Sequence, residues 1–189
     1  MTSSIQKSFS AALEIPGRAS NLLATLYGKP AISTPFAGSG GFFSGRPQER
    51  DDSHLLGSRP NKDVRDIPPL KLYFFYTSKG YEIYIRDNDP HPPNFRLSKG
   101  ISGILGAVDR NAEALTLFEL LDANNNVITL DNLRGNHHYV KLKAIDGGFI
   151  GRAKIHGSRF SYTADTGTKS IVTFNLTILA THLPDRSQV

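Results

Sequence analysis

The sequence predicts an all-β protein with antiparallel strands, preceded by an N-terminal extension that carries one or two short helices. After Pro68-Pro69 the chain consists of short runs of β-forming residues, such as residues 70–76 and 172–179, separated by turn residues. Before that point it is rich in Gly, Pro and Ser. Regularly spaced short strands are typical of a sandwich, a jelly-roll-like fold or a barrel, and a β-trefoil also fits this pattern.

The change in composition divides the chain into an N-terminal arm, residues 1–66, and a β-rich domain, residues 67–189. Residues 31–67, at the junction of arm and domain, are expected to form an irregular linker, because glycines and prolines interrupt every periodic pattern. The charged stretch 48–52 is expected to be solvated.

Two short amphipathic helices are predicted in the arm. The first spans residues 3–15 and ends at Pro16-Gly17, and the second spans residues 19–27 and ends at Gly28. Helices of two to three turns need a surface to pack on, so we expect the arm to contact this chain or a neighbouring copy. The predicted contacts of this assembly arm are Ile5, Phe9, Leu13, Leu22, Leu26, Phe36, Phe42 and Phe43.

Strands are expected throughout the β-rich domain. Residues 115–121 and 127–130 are interpreted as a hairpin around the Asp122–Asn126 turn, although Ala, Glu and Leu after Asn111 also favour a helix. The clearest hairpin is 139–145 with 149–155, closed by Asp146-Gly147-Gly148. Further strands are predicted at 70–76, 81–86, 94–97, 103–108, 159–163 and 170–180.

The hairpin closed by Asp146-Gly147-Gly148 also carries the predicted binding site. With a two-residue turn, Lys141, Lys143, Arg152 and Lys154 project from one face. Like charges across paired strands repel unless an anion relieves them, so nucleic acid or an anionic lipid is the expected partner. The alternative is a solvated strand face. A three-residue turn would place the two pairs of cations on opposite faces.

Motifs for catalysis are weak in this sequence. Asp165-Thr166-Gly167 resembles the active-site triplet of aspartic proteases, and Phe149–Arg152 resembles a second element of the retroviral enzymes. The two elements occur in the reverse order, however, and a hairpin turn explains the triplet more simply. The six histidines show no metal-binding spacing. We therefore predict no enzyme activity, no metal and no cofactor.

Composition narrows the cellular context. The net charge is +5, shared almost evenly between the arm and the domain, so the arm is not a dense basic tail of the kind that packages nucleic acid. There are no cysteines, no apolar run long enough to span a membrane and no classical secretion signal. A cytoplasmic or virion location is expected.

The leading functional interpretation is a non-catalytic structural protein that forms a homo-oligomer through its N-terminal arm. Viral coat and matrix proteins resemble this general build, so a virion component is suggested by analogy. The alternatives are a ligand-binding β module of lectin or trefoil type, or a secreted bacterial effector. An enzyme whose site is not visible in the sequence is the third class.

Overall fold

The protein is described here by a computed structural model, which covers residues 7–28, 30–34, 49–63, 66–86, 95–100, 102–113 and 115–181. The described residues are mostly β-strands in antiparallel sheets, which confirms the predicted all-β class. The strands are β1 Phe9–Glu14, β2 Arg18–Leu22, β3 Ile32–Ser33, β4 Arg50–Asp51, β5 Leu56–Pro60, β6 Lys71–Thr77, β7 Gly80–Arg86, β8 Phe95–Lys99, β9 Leu105–Asp109, β10 Phe118–Leu121, β11 Val127–Ile128, β12 His137–Ala144, β13 Ile150–Lys154, β14 Ser161–Asp165 and β15 Phe174–Thr181. The described residues also contain one α-helix, α1, which spans Leu23–Tyr27.

Six strands of the largest sheet close into a ring. They follow the order β10-β12-β15-β1-β6-β7, and β10 pairs back onto β7 where Phe118 lies opposite Tyr81. Strands β8 and β9 continue the sheet beyond β7, and β11 extends it beyond β10. Closure leaves the ring strands without free edges, which protects them from pairing with other chains.

The interior of this ring is the main hydrophobic core. Alternate residues of each ring strand point inward, so period-2 patterns such as Tyr81, Ile83 and Ile85 lie inside. The inward side chains of β12 are the apolar ones expected from the sequence, Val140, Leu142 and Ala144.

The first correction to the sequence prediction concerns residues 3–15. Their described part forms strand β1 rather than a helix, and β1 lies between β15 and β6. The side chains of Phe9, Ala11 and Leu13 alternate into the core. Two neighbouring strands satisfy the backbone of β1 on both sides, a stabilisation that a short isolated helix lacks. Strand β1 of the predicted arm therefore shares a sheet with strands of the predicted domain.

The second correction concerns residues 19–27. The helix is shorter than predicted, because residues Arg18–Leu22 form β2 and only Leu23–Tyr27 are helical. Its predicted end at Gly28 is confirmed, since this glycine follows the helix with a φ of 83°. Leu26 is buried with Leu23 in a second apolar cluster, and Leu22 packs against the main core.

These placements change the interpretation of the arm. Phe9, Leu13 and Leu26 are buried inside their own chain, so in the folded protein they do not face a neighbouring copy. Ile5, Phe36, Phe42 and Phe43 lie outside the described residues.

The predicted linker also contains structure. Within the described residues it contributes β3, β4 and β5, and β5 enters a second sheet of order β13-β14-β5-β2. Asp52, expected to be solvated, is fully buried. Its carboxylate accepts hydrogen bonds from Ser33 Oγ, 2.6 Å away, from the Arg50 guanidinium and from the Tyr162 hydroxyl. This network joins the β3–β4 pair to the second sheet.

The hairpin predicted around Asp122–Asn126 is confirmed. Strand β10 pairs with β11, with Leu121 opposite Val127 and Leu120 opposite Ile128. The Asp122 carboxylate accepts the backbone N–H groups of Asn124 and Asn126, each 2.8 Å away, and so fixes the turn.

Candidate functional site

One end of the second sheet collects cationic side chains. Strands β13 and β5 end here, at Lys154 and Pro60, while β14 and β2 begin here, because all neighbours in this sheet are antiparallel. The loops at the same end add further cations. We call this surface the basic end, and its members are Arg18, Arg59, Lys62, Arg152, Lys154 and Arg159.

The pairing register distributes these cations over both faces of the sheet. Tyr162 lies opposite both Ala153 and Gly57. These three residues therefore lie on one face of the sheet together with α1, and we call it the first face. Arg152 is opposite Thr163, and Lys154 is opposite Ser161, on the other face. Ser58 follows Gly57 in β5 and therefore points to this second face, as does Pro60 two residues later. Arg18 lies opposite Pro60, so it belongs to the second face as well.

On the second face, Arg18 reaches back over the sheet. Its Nε donates to Ser58 Oγ at 3.1 Å, and its Nη2 donates to the carbonyl oxygen of Ser58 at 3.2 Å. Burial lowers the pKa of Arg18, and the nearby charge of Arg152 lowers it further. The two guanidinium groups therefore repel each other across this face, and an anion between them would relieve the repulsion.

On the first face, two arginines flank an aromatic pair. The rings of Tyr27 and Phe160 meet edge to face with centroids 4.8 Å apart. The guanidinium carbon of Arg59 lies 4.4 Å from the centre of the Tyr27 ring, and that of Arg159 lies 5.2 Å from the centre of the Phe160 ring. These cation–π contacts hold the arginines at the surface without neutralising their charge.

Carboxylates are scarce at the basic end. Among the described residues, no ion pair joins any of its six cations to an acidic side chain. Asp63 is the carboxylate whose charge acts on Arg18. Other lysines of the protein have partners, as Lys99 does with Asp146 and Asp165. The basic end therefore keeps a positive potential that attracts anions.

Buried hydroxyl groups lie beneath the cations of the second face. Ser20 is opposite Ser58, and the antiparallel register places Ser161 beside Ser58, so the three serines form a row across the sheet. In the part of the chain that is described, Ser20 Oγ and Thr163 Oγ1 are buried with no hydrogen-bond partner. A buried polar group in this state costs about 1–3 kcal/mol of stability.

The predicted four-cation face does not form. Ala144 N–H donates to the carbonyl of Gly148, and Lys143 pairs with Phe149, so the turn has the three residues Ile145, Asp146 and Gly147. This register places Lys143 and Arg152 on opposite sides, as expected for a three-residue turn. Strands β12 and β13 then continue in different sheets.

The two lysines of β12 have partners away from the basic end. Lys143 Nζ lies 3.6 Å from Glu119, and Lys141 Nζ donates to Asn125 Oδ1 at 2.8 Å. Of the four predicted residues, Arg152 and Lys154 therefore remain together, and Lys141 and Lys143 are separate from them.

The Asp165-Thr166-Gly167 triplet explains this turn geometry. The carboxylate of Asp165 accepts backbone N–H groups from Gly148 and Gly167 at 3.0 Å, so it clamps two turns together. Any side chain at position 148 would place its Cβ atom 2.3 Å from the Cα of Gly167. Only glycine therefore fits at this position. The triplet here fixes the turn from which β13 leaves for the second sheet.

Other groups with potential chemistry are less suited to form a site. Burial raises the pKa of the Asp52 carboxyl, but the hydrogen bonds from Arg50, Ser33 and Tyr162 outweigh this effect and lower it, which makes Asp52 a weak base. A cleft of about 200 Å³ next to Tyr76, Lys79 and Phe118 is smaller than the ligand pockets typical of proteins. The described residues contain no cluster of three side chains that could hold a metal ion.

Sequence reasoning missed Arg18, Arg59, Lys62 and Arg159. These residues are distant along the chain, and only the strand order of the second sheet brings them together. One local feature could have pointed to two of them, because Arg59 and Arg159 each lie next to the end of a strand and a turn.

Comparisons with known proteins yield no relatives. No protein-family model matches the chain, and neither curated proteins nor solved structures show significant similarity to it. No helix of the described chain has the length and apolar character needed to cross a membrane.

Proposed function

We propose that this protein is a non-catalytic binding protein that holds the phosphate backbone of a nucleic acid at the basic end. The observation that supports the proposal is the concentration of six cations, four of them arginines, without a neutralising ion pair among the described residues. Arginine is the side chain best suited to phosphate, because its planar fork of donors matches two phosphate oxygens.

A nucleic acid fits this surface better than a membrane does. Membrane-binding surfaces combine cations with exposed apolar side chains that enter the lipid. At the basic end the aromatic side chains are instead engaged, since Phe160 is buried and Tyr27 carries Arg59 on its ring. The large apolar side chains that are exposed belong to other parts of the described chain, such as Phe95, Tyr139 and Leu179.

Binding of a labelled single-stranded oligonucleotide, measured by fluorescence anisotropy against salt concentration, tests the proposal. Four to six phosphate contacts predict a slope of log K against log salt of about −3 to −4. The double variant Arg152→Glu/Arg159→Glu should lower the affinity at least about 100-fold, because two charge-assisted contacts are lost.

The matched control is Lys141→Glu/Lys143→Glu, which changes the net charge equally at a different surface. Its affinity should stay within about threefold of wild type, because these lysines lie away from the basic end and long-range effects are screened. Equal losses in both double variants would contradict a localised site. Binding to phosphatidylserine vesicles but not to the oligonucleotide would favour a membrane partner.

A structural role in a virion, suggested by analogy from the sequence, is compatible with this proposal. Self-assembly through an N-terminal arm stays a hypothesis for Ile5, Phe36, Phe42 and Phe43 alone. The apolar side chains of β1 and α1 no longer support it, because they form the protein's own cores.

A further inference from the structure

The second face of the second sheet is arranged like a cradle. Arg18 extends over it from the β2 side, and Arg152 and Lys154 project from the β13 side. Between them lie the buried hydroxyl groups of Ser20, Ser58, Ser161 and Thr163, which we call the floor of the cradle. Ser58 Oγ already accepts a hydrogen bond from Arg18 Nε. The proton of the Ser58 hydroxyl is therefore directed toward another acceptor.

The floor has donors that the described protein does not use. Ser20 Oγ and Thr163 Oγ1 are buried and make no hydrogen bond with any described residue, and both belong to residues at most 6% exposed. Buried hydroxyls normally have partners, and unused ones beside repelling arginines are expected where an anion is to be bound. A phosphate group has the charge and the acceptor oxygens that such a set of donors requires.

We infer that this cradle binds the terminal phosphate monoester of a nucleic acid strand. The inference rests on the proposed function, which supplies the strand, and it adds recognition of the strand's end. The floor hydroxyls are almost fully buried, so they can be met only by the free oxygens of a phosphate that points into the cradle. A phosphodiester carries a sugar on both sides and has two such oxygens, whereas a terminal phosphate carries one sugar and has three, which suits the larger set of donors.

The test compares two oligonucleotides of one sequence, with and without a 5′-phosphate, in competition with inorganic phosphate. The wild type should bind the phosphorylated strand at least fivefold more tightly, and inorganic phosphate should remove that preference at constant ionic strength. Ser20→Ala should abolish the preference while retaining binding of the unphosphorylated strand. Thr163→Val, which keeps the shape of the side chain, serves as a second variant if Ser20→Ala does not fold.

Arg159→Gln is the matched control. Its side chain lies with the aromatic pair on the first face, so it should weaken both strands equally and preserve the preference. Equal affinity of the wild type for the two strands would overturn the inference while leaving the proposed function intact. If the wild type binds neither strand, the proposed function itself is overturned. If the preference for the phosphorylated strand survives in both Ser20→Ala and Thr163→Val, the cradle is not the site that binds the terminal phosphate.

Discussion

The Phe9→Ala variant is expected to lose about 3–5 kcal/mol of unfolding free energy, the usual range for removal of a buried phenylalanine. The ring of Phe9 is fully buried, stacks on Phe74 with centroids 4.8 Å apart and meets Tyr81 edge to face. Its strand lies between β15 and β6, so the cavity would open in the middle of the ring of strands. Urea unfolding followed by circular dichroism measures the loss.

Phe95→Ala provides the control for this experiment. Phe95 is half exposed, so its removal should change the unfolding free energy by no more than about 0.5 kcal/mol. Similar small effects for both variants would mean that residues 9–14 are a detachable arm rather than a strand of the core.

The second large effect is expected for Asp52→Ala. This change removes a fully buried carboxylate and leaves the Ser33 and Tyr162 hydroxyls and the Arg50 guanidinium without their acceptor. Loss of this buried acceptor costs about 1–3 kcal/mol for each buried hydroxyl that depended on it, whereas the Arg50 side chain is 42% exposed and can be solvated. Asp131→Ala is the control, because the Asp131 side chain is half exposed and its ion pair with Lys7 should contribute less than about 1 kcal/mol.

The same network predicts how stability depends on pH. The pKa of Asp52 is lower in the folded protein than its ordinary value near 4, so the unfolded chain binds the proton more readily. The stabilisation is therefore present above about pH 4 and is lost as pH falls through the lower folded-state pKa. Stabilities of wild type and Asp52→Ala, measured from pH 7 downward, should converge in this acidic range. A constant difference would show that the contribution of Asp52 is not ionic.

The strands after residue 67 were predictable because their signals are local. Alternation of apolar residues placed β7, and the Asp122–Asn126 turn favoured the hairpin of β10 and β11 over a helix after Asn111. In β1, by contrast, Ala11-Ala12 satisfies both a helical and an alternating pattern, so local periodicity cannot decide between them. Residues 9–14 form a strand because they pair with β6 and β15, which lie much later in the chain.

The candidate site was half predictable for a related reason. Arg152 and Lys154 are close in sequence and were predicted to belong to an anion site, but the turn length that decides their face depends on a distant clamp, Asp165. Arg18 joins them only through the pairing of β2 with β5 and of β5 with β14. Sequence patterns report neighbours along the chain, whereas this site is formed by strand order across a sheet.

Hydrogen–deuterium exchange of the full chain with and without a bound oligonucleotide tests the central claim most directly. Protection should appear in the loop at residues 155–160 and in residues 59–63, which carry Arg159, Arg59 and Lys62. The β12 segment with Lys141 and Lys143 should exchange as in the free protein. Protection of β12 with no change at residues 155–160 would contradict the assignment of nucleic-acid binding to the basic end.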